Sequence, residues 1–114
     1  MGTISNLMER LTRRPKADLP PVVVTAYGFT VGPVFVAWQT VAEIWGYKVD
    51  LLTTDEAFLE FSSNGQCISV SEEQPGFDQL EAAMVASFPA TASWRQAVLQ
   101  PAFDRSRTLL YRRA

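Results

Sequence analysis

Residues 34–70 read VFVAWQTVAEIWGYKVDLLTTDEAFLEFSSNGQCISV, and the fold is decided here. From residue 44 to residue 52 the side chains alternate, with Trp45, Tyr47, Val49 and Leu51 on one face and Ile44, Lys48 and Asp50 on the other. A period of two is what a strand with one buried face requires. Aromatic and β-branched residues suit a pleated, half-buried surface. The sequence Thr53-Thr54-Asp55 breaks the pattern as a turn, and Ala57, Leu59 and Phe61 resume it with Glu56 and Glu60 opposite. Asn64-Gly65 then sits between two alternating runs. This dipeptide signals a type I′ hairpin, because both central residues of that turn need positive φ. Beyond it Ile68 and Val70 point one way and Cys67, Ser69 and Ser71 the other. The stretch therefore predicts an antiparallel meander. Its expected core face carries Trp45, Tyr47, Val49, Leu51, Ala57, Leu59 and Phe61. Its expected outer face carries Lys48, Asp50, Glu56, Phe58, Glu60 and Cys67.

Working outward, residues 22–31 read as an extended segment with Val23, Thr25, Tyr27, Phe29 and Val31 on one face and Gly28 as a bulge or close approach. Gly32-Pro33 punctuates it, residues 34–38 form another short strand, and residues 39–43 connect to the long strand. The Trp38, Val41, Ile44 spacing also fits a helical turn. On the C-terminal side, Phe77, Leu80, Met84 and Phe88 recur at helical spacing, with Asp78 and Glu81 favourably placed in the first turn. Pro89 ends that helix, and Ser93 can cap a second bearing Trp94, Ala97 and Val98 before Pro101. Residues 108–111 form a last short strand or dock on the helices. At the N-terminus Ile4, Leu7, Met8 and Leu11 mark an apolar stripe on a short helix over residues 3–14, with a basic end and Pro15 as its stop. So short a helix either packs on the domain or a neighbour or frays, and although a basic amphipathic helix can lie on an anionic membrane, this one lacks a Trp or Phe anchor, which places the membrane behind packing or disorder. Residues 15–21 read as a proline-rich linker. The fold class is then α+β: an antiparallel sheet of about four to six strands with two C-terminal helices on one face. Residues 1–21 are expected to form a helix and linker, and residues 22–114 a single domain.

The 114 residues suit one domain, and a hydrophobic share of 47% is ample for a real core. No apolar run is long enough for a membrane-spanning helix, and the first residues lack the apolar core of a secretory signal. One cysteine forbids an internal disulfide and points to a reducing, cytoplasmic setting. Histidine is absent. That removes serine–histidine triads, histidine general bases and histidine-ligated zinc from this chain's repertoire. Glycines punctuate turns and strands without forming a phosphate loop. No catalytic, cofactor-binding or metal-binding residue is assigned.

Charge is polarised along the chain. Residues 43–81 hold nine carboxylates against Lys48 alone, whereas residues 1–42 sum to +2 and residues 82–114 to +4. An acidic sheet disfavours nucleic acid, and it reads either as an ordinary solvated surface with basic ends or as a face that meets a basic partner. The expected contact residues are Lys48, Asp50, Phe58 and Glu60 on the outer face, with Glu72 and Glu73 on the loop beside it. Phe58 falls among carboxylates on strict alternation, so either that face is also covered or it carries an apolar spot suited to a partner or a dimer mate.

The succession Trp38, Val41, Ile44, then Tyr47-Lys48-Val49-Asp50, then Leu59-Glu60-Phe61 and a closing helix resembles small bacterial domains of PH-like or GRAM-like type. In texture it is also similar to bacterial conserved hypothetical proteins and to small toxin-immunity proteins. The resemblance covers residues 22–88, departs from the PH pattern in lacking a basic phosphoinositide-binding loop, and carries over no functional residue. The first expectation for function is a small non-enzymatic interaction module whose acidic sheet and loops bind another protein, one version being an immunity-type inhibitor of a basic toxin. The rival expectations are a carboxylate-based, metal-dependent or small-molecule enzyme, and a structural homodimer.

Overall fold

The computed structural model describes residues 19–50, 55–99 and 107–114; the side chains of residues 50, 55 and 99 lie outside that description. The architecture is α+β, built from two antiparallel sheets and two helices. The expected N-terminal helix and most of its linker lie outside the described residues.

Residues 22–31 are not one extended strand. They fold as a hairpin of β1 (Val22–Thr25) and β2 (Gly28–Val31), joined by a tight turn at Ala26-Tyr27. The Thr25 hydroxyl supports that turn by accepting the Tyr27 N–H at 3.2 Å. The turn resets the alternation. Val22, Val24, Phe29, Val31, Val34 and Val36 share the inner face by register, and Val23, Thr30 and Phe35 the outer one. Gly28 is the close approach anticipated for it, since a Cβ there would drive into the Val36 carbonyl. β3 (Val34–Ala37) completes this three-stranded sheet in the order β1-β2-β3. A single 3-10 turn, Trp38–Thr40, then hands the chain to the second sheet.

The second sheet has the order β6-β5-β4-β7, with β4 (Val41–Asp50), β5 (Asp55–Ser63), β6 (Gln66–Ser71) and β7 (Thr108–Arg112). The β5–β6 hairpin turns at Asn64 (φ 53°) and Gly65 (φ 78°), the two positive angles a type I′ turn demands. β7 docks antiparallel on β4 with a bulge near Leu110, and Leu110 and Tyr111 both pack against the core. The helices are α1 (Phe77–Ser87) and α2 (Trp94–Leu99), as their apolar spacing predicts. Phe88 and a 3-10 turn at Pro89–Thr91 separate them. Among the described residues no helix is long and apolar enough to cross a membrane.

One core serves both sheets. Phe29 of the first sheet meets Phe61 of the second at 4.9 Å between ring centroids, and Trp38 lies 5.3 Å from Phe29. Phe88 extends the cluster to Trp38 and to Tyr111. The turn before α1 ties the two sheets at their other end, where the Val22 N–H donates to the Pro75 carbonyl at 2.7 Å. Gly76, at φ 89°, lies so close to Val22 that a Cβ would strike its carbonyl.

The face assignment of β4 is the main correction. Across the β4–β5 ladder Ile44 faces Phe61, Gly46 faces Leu59 and Lys48 faces Ala57. Directly opposed residues in an antiparallel pair share a face. Ile44, Gly46 and Lys48 are therefore on the core side, and Trp45, Tyr47 and Val49 on the outer side with Phe58 and Glu60. The reason is Gly46. A Cβ at this position would lie 2.6 Å from Val98 and 3.6 Å from Trp94, so α2 rests directly on the glycine. A tryptophan or tyrosine in that row would hold the helix off the sheet.

Gly28→Ala is expected to destabilise the protein by about 3 kcal/mol or more, because the added methyl meets backbone rather than a movable side chain. Gly46→Ala is expected to cost less, about 1–3 kcal/mol, since Val98 and Leu110 can shift. Urea-denaturation midpoints of the two variants measure both.

Candidate interaction face

The helices cover one side of the four-stranded sheet, and the candidate site is the other side. Along β4 it carries Glu43, Trp45, Tyr47 and Val49; along β5 Glu56, Phe58 and Glu60; along β6 Cys67 and Ser69; and from β7 Leu109. At its centre Tyr47 and Phe58, opposed in the ladder, stack with centroids 5.1 Å apart and planes within 5°. Both rings are half-buried. The Tyr47 hydroxyl reaches across β5 to donate to Ser69 at 3.2 Å.

Beside the stack, Trp45 sits inside a charged frame. The Arg107 guanidinium lies 4.4 Å from its ring centroid and pairs with Glu60 at 2.9 Å. The indole N–H donates to Glu43 at 2.9 Å, and the other oxygen of Glu43 receives Arg112 at 3.0 Å. The indole hydrogen bond, followed by Arg112, holds the Glu43 carboxyl below the usual carboxylate range. Exposed pairs of this kind are individually weak, so the frame's main effect is to hold the tryptophan in place.

A second set of contacts lies at the end of β5, where Glu72 braces the loop that joins β6 to α1. One Glu72 oxygen accepts the Ala57 N–H at 2.8 Å and the other pairs with Arg95 at 3.0 Å. Arg95 also bonds Glu81 at 3.0 Å and lies 4.8 Å from the Trp94 ring centroid, and the Trp94 indole N–H donates to Glu81 at 2.7 Å. Burial pulls the Arg95 guanidinium down, but its hydrogen bonds to Glu72 and Glu81 outweigh this and raise it above its ordinary value. The Ser71 hydroxyl donates to Glu56 and accepts the Glu73 N–H at 3.0 Å.

These contacts redistribute the residues singled out in the sequence. Phe58 and Glu60 lie together on the outer face, with Glu72 and Glu73 on the loop beside Ala57. Lys48 does not join them. It is 7% exposed and lies on the helix-covered side, because its parity in β4 is that of Gly46. Asp50 faces Asp55 at the end of the β4–β5 ladder, its side chain outside the described residues. Glu72 is a structural brace rather than a solvated loop charge. The acidic middle of the chain is also less bare than its composition implies: Glu43, Glu60, Glu72 and Glu81 each hold an arginine from the basic C-terminal part. Among the described residues no three cysteine, aspartate or glutamate side chains gather as a metal site would need. Cys67 is exposed on the outer face, opposite Ser62.

Sequence reasoning missed Trp45 and Tyr47 as outer-face residues. The available signal was Gly46, a helix-contact residue whose parity condemns its neighbours to the opposite face. Arg107 and Arg95 were invisible, since they join Glu60 and Glu72 across 47 and 23 positions.

Two outcomes follow from this geometry. Glu72→Ala, which strips a partner from the Ala57 N–H, is expected to lower stability by about 1–3 kcal/mol in thermal or urea unfolding. The Glu43 carboxyl should titrate below an ordinary glutamate in a carbon-detected NMR pH series, and Trp45→Phe should move it back up. Because its folded pKa is lowered, Glu43 adds stability above its unfolded pKa and loses it as pH falls through the folded value.

No family model, no curated protein and no solved structure matches this chain, so what this face does is read from the residues themselves.

Proposed function

We propose that the chain is a non-enzymatic protein-interaction module that engages its partner through the outer face of the four-stranded sheet. The observation that carries this reading is the stacked Tyr47–Phe58 pair, half-buried on the side of the four-stranded sheet that faces away from the described helices. Partly exposed aromatic rings with few rotatable bonds make effective anchors, because a partner can cover large area at small entropic cost. Leu109, 38% exposed, and the Trp45–Arg107 pair widen the apolar centre.

The rim gives the reading its charge preference. Glu56 lies towards one end of the face, while Glu43 and Glu60 already hold arginines. A partner with an apolar centre and a basic edge at that end fits best, and an immunity-type inhibitor of a basic toxin is one version. With two of the face's three described carboxylates paired to arginine, the anchor is expected to set affinity and the rim to set association rate.

The test is to isolate the partner from the native cell at low salt, identify it, and titrate it against wild-type and Phe58→Arg protein. With the fold confirmed by circular dichroism, Phe58→Arg is expected to weaken binding at least tenfold, about 1.4 kcal/mol. Equal affinity for the variant, or no protein retained at about 50 mM salt, where the screening length is still over 10 Å, overturns the proposal.

A further inference from the structure

The outer face of the four-stranded sheet already holds a guanidinium, and the way it is held bears on the partner's chemistry. Trp45 and Glu60 are directly opposed in the β4–β5 ladder. The indole ring and the carboxylate therefore stand side by side on one face. Arg107 lies against both, its guanidinium carbon 4.4 Å from the ring centroid and one of its nitrogens 2.9 Å from a Glu60 oxygen.

The seat belongs to the sheet rather than to its occupant. β4 and β5 are the two inner strands, and the Trp45 indole N–H is fixed to Glu43 at 2.9 Å. The Glu60 side chain is only 14% exposed. A carboxylate so far withdrawn from water is costly without a cation beside it. An indole face next to such a carboxylate suits a guanidinium better than an ammonium. The planar group can lie on the ring and bond the carboxylate at once, and it gives up its hydration more readily. Arg107 itself is loosely attached. Of the described arginines paired to carboxylates, Arg112 is part of β7, and Arg95 is part of α2 and holds two carboxylates. Arg107 stands just ahead of β7, before the ladder pair of Gly46 with Thr108. Its side chain is 47% exposed and pairs with Glu60 alone. Exposed pairs are individually weak, so this side chain can leave its seat without opening a ladder pair.

We propose that Arg107 is an internal stand-in for an arginine of the partner, which takes its place over Trp45 and against Glu60 when the complex forms. This rests on the reading of the face as a protein-binding surface, and it adds to the basic edge facing Glu56 one arginine opposite Trp45. The exchange swaps one guanidinium for another, so Glu60 is never left buried and unpaired. Arg107 competes at the high effective concentration of a tethered group. That keeps free cations out and reserves the seat for a partner already held at Tyr47 and Phe58.

The first test needs no partner. N-acetyl-arginine amide is titrated into the nitrogen-labelled full chain, and the indole N–H signal of Trp45, identified by its loss in Trp45→Phe, is followed by NMR. Arg107→Ala is expected to respond saturably, with a dissociation constant at least about fivefold below that of wild type, because the tethered competitor is gone. Adding Glu60→Gln should remove the response, and N-acetyl-lysine amide at equal ionic strength should bind more weakly. An Arg107→Ala chain that gives no saturable response, or that binds no tighter than wild type, overturns the proposal. So does a lysine amide that binds as well as the arginine amide. If Arg107→Ala does not fold, Arg107→Gln is titrated in its place; loss of the fold in both makes Arg107 a structural clasp and ends the proposal. A failed titration leaves the Phe58→Arg experiment to judge the face itself. With the partner isolated, the two substitutions should act in opposite directions: Arg107→Ala tightens binding where Phe58→Arg weakens it. Weaker binding by Arg107→Ala makes Arg107 part of the contact and overturns the exchange.

Discussion

The contact between Gly46 and α2 is the constraint on which the rest of the structure depends. A six-residue helix has little stability of its own and forms here because the sheet offers it a close seat. The seat exists because one residue of β4 has no side chain, and Val98 and Trp94 fill the space. Once Gly46 faces the helix, parity leaves no freedom. Ile44 and Lys48 must share its side, Trp45 and Tyr47 must take the other, and the β4–β5 register then sets Tyr47 against Phe58. The aromatic face proposed as the interaction surface is thus a by-product of helix packing.

Electrostatics plays a second, organising role. The acidic middle and the basic C-terminal part of the chain look like separate surfaces when read in order. In the fold they interleave. β7 lies beside β4 and brings Arg112 to Glu43, with Arg107 just ahead of it at Glu60 and over Trp45. α2 brings Arg95 to Glu72 and Glu81. Each exposed pair is weak alone. Together they hold the last strand, the short helix and the β6–α1 loop in one arrangement, and they leave the acidic segment with less free charge than its composition suggests.

The two open surfaces differ in kind. The outer face of the four-stranded sheet mixes aromatic rings with carboxylates and guanidinium groups. The outer face of the three-stranded sheet has no charge and is small.

Local signals were strong enough in the sequence to specify several elements. Asn64-Gly65 determines its hairpin because few other dipeptides accept positive φ at both positions. The helical spacing of Phe77, Leu80 and Met84 determines α1, and the α+β class follows from strands succeeded by helices. The alternation in β4 was equally legible, but alternation defines two faces without saying which is buried. Large aromatic residues favoured one answer, and the tertiary structure chose the other, because helix–sheet packing selects for a small residue at closest approach. The Ala26-Tyr27 turn reset the parity of the first hairpin in the same way. The arginine partners of Glu43, Glu60 and Glu72 are separated from them by tens of residues, and only the path of the folded chain brings them within 3.0 Å.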